Sequence, residues 1–231
     1  AALALSLVAL PLVARAAPPD TRPTVAVLYF DYSGKDADMA VLRKGLAQML
    51  ISDLSALDGV RLVERDRLEE ILAELKLAQS GKIDPATAAK VGKLLGARYM
   101  VLGGYFDLMN TLRADARVVE VETGKVLQST GASGKPQDFL GVEQKLSDSI
   151  AKILVEKTHP IAEATPTSAV AAKKPPKPPG KLATKLALRY SRALDAKDRG
   201  DKTTAKKELA AVVKEQPDFR LAQLDIDKLI Q

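Results

Sequence analysis

Thr111-Leu-Arg-Ala-Asp-Ala-Arg-Val-Val-Glu-Val121, then Glu122-Thr-Gly-Lys125, then Val126-Leu-Gln-Ser129 is the stretch that decides the fold. Leu112, Ala114, Ala116 and Val118 alternate with Arg113, Asp115 and Arg117, so one face of an extended segment is apolar and the other is charged. Gly124 in Glu-Thr-Gly-Lys supplies a hairpin turn, and Val126–Ser129 returns as the partner strand. Just upstream, Arg98 to Phe106 is rich in strand-forming residues, and the connection at residues 107–110 is short. Three strands in a meander follow.

Working outward toward the N-terminus, Thr24-Val-Ala-Val-Leu-Tyr-Phe30 reads as a buried strand, followed by a turn at Asp31–Asp36. From Met39 to Leu57 the residues Leu42, Leu46, Met49, Leu50 and Leu54 recur at helical spacing. Asp58-Gly59 ends that helix before a short strand, Val60–Glu64. A second helix is predicted with Asp66 and Glu69 as a capping box and a stripe of Leu68, Ile71, Leu72 and Leu75. Ser80-Gly-Lys82 breaks it. Asp84-Pro85 has an N-cap followed by a proline in the first turn, and Gly96 stands where a left-handed C-terminal cap is needed. After the meander, Val142, Leu146, Ile150, Ile153 and Leu154 mark a helix over about 138–156. The order β-α-β-α-α-β-β-β-α predicts an α/β fold, a mixed sheet with helices packed on it. The domain is placed at 24–158.

Residues 159–181 read as a Pro/Ala/Lys-rich linker, and 182–231 as a small all-α unit. Charge divides the same way. Residues 1–159 hold 20 Lys/Arg and 20 Asp/Glu, whereas 160–231 hold 15 basic and 9 acidic residues, the whole net charge of +6. Attraction to anionic partners therefore belongs to the C-terminal third.

At the other end, Ala1 to Val13 is an apolar run, and Ala14-Arg-Ala16 has the small residues of a signal-peptidase site before the polar leader 17–23. Export to the periplasm or the periphery of the outer membrane is the expectation. The chain has no Cys and one His, His159, which disfavours a thiol nucleophile, a zinc site, an iron–sulfur cluster or a Ser/His/Asp triad. Six Gly-Lys pairs invite a phosphate loop, but even Gly131-Ala-Ser-Gly-Lys135 lacks both the upstream Gly and a following Ser or Thr. No catalytic, cofactor or metal residue is assigned, and no nucleic-acid partner. Gly103-Gly104 reads as a bulge or close helix contact, and Glu70 with Glu74 as a solvated helix face.

Several residues together resemble the CsgG-like family of envelope proteins, a group that includes the curli secretion channel, flagellar accessory proteins and relatives of penicillin-binding-protein activators. They are Val25–Phe30, Leu62–Arg65 entering Leu68–Leu72, Ser80-Gly81 before Asp84, Gly92–Gly103, Ala116–Val118 and Thr123–Val126, spanning about 24–155. The resemblance implies a non-enzymatic accessory protein that binds envelope proteins or assembly machinery. A ring-forming secretion component of the curli type is the alternative, and a periplasmic ligand-binding or enzymatic domain a further one. The short connections at 107–110 and 122–125 lack the length of membrane-spanning hairpins. The C-terminal unit resembles one tetratricopeptide repeat through Ala193, Gly200-Asp201, Ala205, Leu209, Val212 and Pro217.

Candidate partner contacts are Tyr32, at a strand's C-terminal end, the apolar positions Leu209 and Phe219, and the basic cluster Lys173, Lys174 and Lys177. That cluster suits an anionic membrane surface or cell-wall polymer, or serves as a plain spacer. Homo-oligomerisation stays open.

Overall fold

The computed structural model describes residues 20–77, 83–158 and 184–230. Its elements are β1 (Thr24–Val27), β2 (Asp31–Tyr32), α1 (Ala37–Leu54), β3 (Arg61–Leu62), α2 (Arg65–Glu74), α3 (Pro85–Leu94), β4 (Tyr99–Leu108), β5 (Thr111–Glu120), β6 (Val126–Gly134), α4 (Phe139–Thr158), α5 (Thr184–Asp198), α6 (Lys202–Glu215) and α7 (Arg220–Ile230). The sheet runs β3-β1-β4-β5-β6. Strand β1 is parallel to β3 and β4, while β4, β5 and β6 form the antiparallel meander. The fold is α/β, a mixed sheet with helices packed on it and an all-α C-terminal unit.

The alternation in β5 decides its two faces. Leu112, Ala114, Ala116 and Val118 are buried, while Arg113 and Arg117 are exposed and Asp115 is half-buried. Helix α4 lies on β5 and β6, bringing Val142, Leu146, Ile150 and Leu154 into the core. Gly124 has φ +69°, as the hairpin turn requires. The β4–β5 connection is tighter still: Met109 and Asn110 both have positive φ, and Leu108 pairs with Thr111 across them.

Some expectations change. Asp31 and Tyr32, read as a turn, form a short strand parallel to β4. Strand β6 runs to Gly134, so the phosphate-loop lookalike at 131–135 is mostly strand and its ladder is already used by β5. Helix α2 starts at Arg65, with Glu64 at its N-cap and no side-chain cap. The capping box therefore does not form, because Asp66 and Glu69 are engaged elsewhere. Asp84 does cap α3, accepting from the Ala86 and Thr87 N–H groups at 2.8 and 3.0 Å. Gly103-Gly104 lies in continuous register with β5, with no bulge. A Cβ on Gly103 would stand 2.1 Å from the Asp115 carbonyl and 2.5 Å from the Phe30 ring, so the pair admits a core aromatic and neighbouring backbone.

The C-terminal helices lie against the α/β unit. Helix α5 packs along α1, and Leu186, Ala187, Tyr190 and Leu194 join the same apolar core as the sheet. A Cβ on Gly45 would be 2.0 Å from Ser191 Oγ and 3.2 Å from its Cβ. An added methyl would thus displace the Ser191 side chain where the two helices touch. Gly45→Ala is expected to cost about 1–3 kcal/mol by overpacking this crossing. Ser191→Ala in that background removes the nearer atom and should restore part of the loss in urea unfolding. An unchanged midpoint for Gly45→Ala would contradict the close approach.

Candidate functional site

The seam between α1, α2 and α5 collects the densest polar side chains in the described structure. Arg65 is 1% exposed although it opens a helix. Its position is in phase with Leu68 and Leu72, so it points inward with them. On α5, Ala187, Ser191 and Leu194 are buried in a stripe that Asp198 continues. These two stripes bring the charges together. Arg65 Nη1 and Nη2 donate to Asp198 at 2.8 and 2.9 Å, a two-pronged pair. Arg65 also donates to the Tyr29 hydroxyl at 3.1 Å and to Asp66 at 2.7 Å.

Lys44 of α1 completes the network, 2.7 Å from Asp198, 3.2 Å from Asp195 and 3.6 Å from Glu69. The Tyr29 hydroxyl donates to Glu69. Lys197 reaches back to Asp66 at 2.8 Å, and Arg192 to Asp38 at 2.6 Å. Burial works against the Arg65 charge, but the hydrogen bonds to Asp198 and the neighbouring acids outweigh it and raise its pKa. Burial, with the Glu69 hydrogen bond, pushes the Tyr29 hydroxyl up, so it stays protonated as a donor.

Beside this network lies a half-open cleft of about 480 Å³ lined by Tyr29, Arg43, Lys44, Glu69, Asp195, Asp198 and Arg199. Lys44, Asp195, Asp198, Glu69 and Arg199 are paired with one another, Arg43 has Asp31 at 3.9 Å and a buried Nε without a hydrogen-bond partner, and Tyr29 is held as a donor. The arrangement is suited to locking α5 onto α1 and α2. Among the described residues, no group of three or more His, Asp and Glu side chains is placed to hold a metal ion. No helix among them is long and apolar enough to cross a membrane.

The residues chosen from the sequence lie apart from one another. Tyr32, on β2, is half-buried; its hydroxyl donates to Asp107 and accepts from the Asp36 N–H at 3.1 Å, and its ring stands 5.2 Å from Tyr105. It closes the β4 end of the core. Leu209 and Phe219, expected as apolar anchors for a partner, are 1% and 6% exposed. Phe219 meets Tyr190 edge to face at 5.1 Å, so their apolar surface is used within the protein. Lys173, Lys174, Lys177 and His159 lie outside the described residues. The seam itself escaped notice, although a charged residue in phase with an apolar stripe on each of two helices was its signal.

One curated relative, a protein named putative adenylate cyclase 3 from Rhizobium meliloti (strain 1021), is 26% identical over 146 residues, 62% of this chain. The chain spans only 23% of that relative's length. Solved structures with some likeness include the LpoB C-terminal domain from Salmonella enterica, at 17% identity over 49% of this chain and 82% of that one, with a TM-score of 0.40. Lipoprotein GNA1162 from Neisseria meningitidis is 19% identical over 56% of this chain and 95% of its own, TM-score 0.42. TolB from Acinetobacter baumannii is 15% identical over 59% of this chain and 29% of its own, TM-score 0.37. The family model described as curli production assembly/transport component CsgG matches residues 8–109, and over that stretch the chain is similar to that family.

Proposed function

We propose that this chain is a non-enzymatic accessory protein of the bacterial cell envelope that binds other envelope proteins or assembly machinery. The observation that carries this reading is the CsgG family match over residues 8–109, a family described by assembly and transport. The apolar leader with its small-residue cleavage site, followed by a polar Pro-rich segment, supports export. The seam's matched charges support a binding rather than a catalytic role for the body of the protein. A ring-forming secretion component is the rival reading. It is less favoured because the connections at 107–110 and 122–125 are tight turns, without the length that membrane hairpins need. The C-terminal helices are read as a tetratricopeptide-like unit on the burial of Ala193 and Ala205 and the positive φ of Gly200.

The excess charge of residues 160–231 is assigned to partner attraction. Capture of envelope proteins by the full chain from crosslinked envelopes should weaken as salt rises, since exposed charges are screened over about 8–10 Å at physiological strength. Replacing Lys173, Lys174 and Lys177 together with Gln should lower the association rate and leave the thermal midpoint unchanged. Equal capture by both proteins at low and high salt would remove the tail from the account.

A further inference from the structure

Helix α4 carries a carboxyl group where its helical phase calls for an apolar one. Glu143 is 3% exposed, and its Oε1 has no hydrogen-bond partner. It lies on the inward stripe between Val142 and Leu146, and α4 packs there against α1, α5, β5 and β6. The charges that bear on it are Asp53 of α1 and Asp148 of α4, both acidic. Strand β6 contributes none, having no charged residue between Val126 and Gly134. Arg113, Asp115 and Arg117 of β5 belong to the opposite face from the Leu112–Val118 row that meets α4, and Arg113 is paired with Asp115 at 2.7 Å. On α5, Lys185 is exposed, Arg189 pairs with Glu208, Arg192 with Asp38 and Lys197 with Asp66, and Lys145 of α4 itself is exposed. On α1, Lys44 is held by Asp198, while Arg43 faces Asp31 at 3.9 Å. The short turn before α4 carries Lys135 and Asp138, and neither is among the charges that bear on Glu143.

We infer that the buried carboxyl of Glu143, whose Oε1 has no partner, makes the packing of α4 on α1 a proton-dependent clasp that is tight when Glu143 is protonated and loosens as pH rises. A protonated Glu143 is neutral, bears its burial and feels no repulsion. An ionised one is a buried charge with no hydrogen bond to its Oε1 and the acidic Asp53 and Asp148 as the charges that bear on it. Burial first, and then the repulsion of Asp53 and Asp148, push its carboxyl well above the usual range. Burial and Asp148 raise Asp53 to about 6. A carboxyl whose folded pKa is raised adds stability below its ordinary value near 4 and loses it as pH climbs through the folded value. The fall should therefore begin above pH 4, with Asp53 contributing as it ionises at about 6 and Glu143 contributing above the usual carboxylate range. In an exported protein this seam would meet the pH of the surroundings directly; that consequence rests on the export proposed above, but the slope does not.

The test is the thermal midpoint of the full chain measured from pH 4.5 to 8. The midpoint should fall across that range. Glu143→Gln should raise it at pH 7.5 by about 2–4 °C or more, on the scale of a chain this size, and flatten most of the slope. Asp53→Asn should flatten it in part. Asp225 is buried against Tyr190 and also raised, so Asp225→Asn serves as the control, which should leave the Glu143 component in place. Amide exchange of α4 in the unaltered chain provides a reading free of substitution and should be faster at pH 7.5 than at 5.5 after correction for intrinsic rates. A midpoint that is flat or rises over this range, or a Glu143→Gln variant with the original slope, would overturn the clasp.

Discussion

Arg65→Ala is expected to lower the unfolding free energy by about 3–5 kcal/mol, because it leaves Asp198 buried beside an empty space with only Lys44 to answer it. Asp198→Asn should cost a similar amount from the other side. The pair's own net worth is a different quantity. Replacing both residues, Arg65 by Met and Asp198 by Leu, removes the desolvation penalty together with the attraction and should recover most of the loss. A double-mutant cycle in urea would show a coupling well above 1 kcal/mol, as contacts in one network do. Single variants within 0.5 kcal/mol of the parent would place Arg65 among ordinary surface pairs, contrary to its 1% exposure.

Removing residues 184–230 should have the larger effect. The remaining sheet, α1 and α4 have their own apolar contacts, so the 20–158 fragment is expected to keep a cooperative transition. It would, however, expose the α1 face that meets Leu186, Ala187, Tyr190 and Leu194, and would strip Lys44 and Arg65 of Asp198. Each fully buried large apolar side chain contributes about 1.5–3 kcal/mol, so the midpoint should drop by about 10–20 °C. Differential scanning calorimetry of the two proteins measures this. An unchanged midpoint would make α5–α7 a passive appendage.

The sheet was legible because its signals are local. The 112–118 alternation, Gly124, Asp84-Pro85 and Gly96 each act within a few residues, and each stands in the structure where its chemistry requires. Strand β2 was missed because two residues have no periodicity; only β4 running alongside makes Asp31–Tyr32 a strand. The expected capping box failed for a related reason: Asp66 and Glu69 have the right spacing but are claimed by Lys197 and Tyr29, from 131 and 40 residues away. The seam depended on the same kind of distant pairing. Arg65 and Asp198 each break an apolar stripe on their own helix, and neither explains itself until the end of α5 meets the start of α2. The Pro/Ala/Lys-rich composition of residues 159–181, read as a linker, encouraged the opposite picture, a helical unit held at a distance with Leu209 and Phe219 free for a partner. Tyr190, edge to face with Phe219 and donating to Asp225 at 2.7 Å, instead ties α7 back to α5, and α5 to the core.

The central functional claim is export to the envelope, and the mass of the mature protein tests it most directly. The protein, expressed from its own gene in its native host, should be recovered from the envelope fraction with an intact mass that begins at Ala17. Recovery from the cytoplasm with the residues before Ala17 still attached would contradict the account.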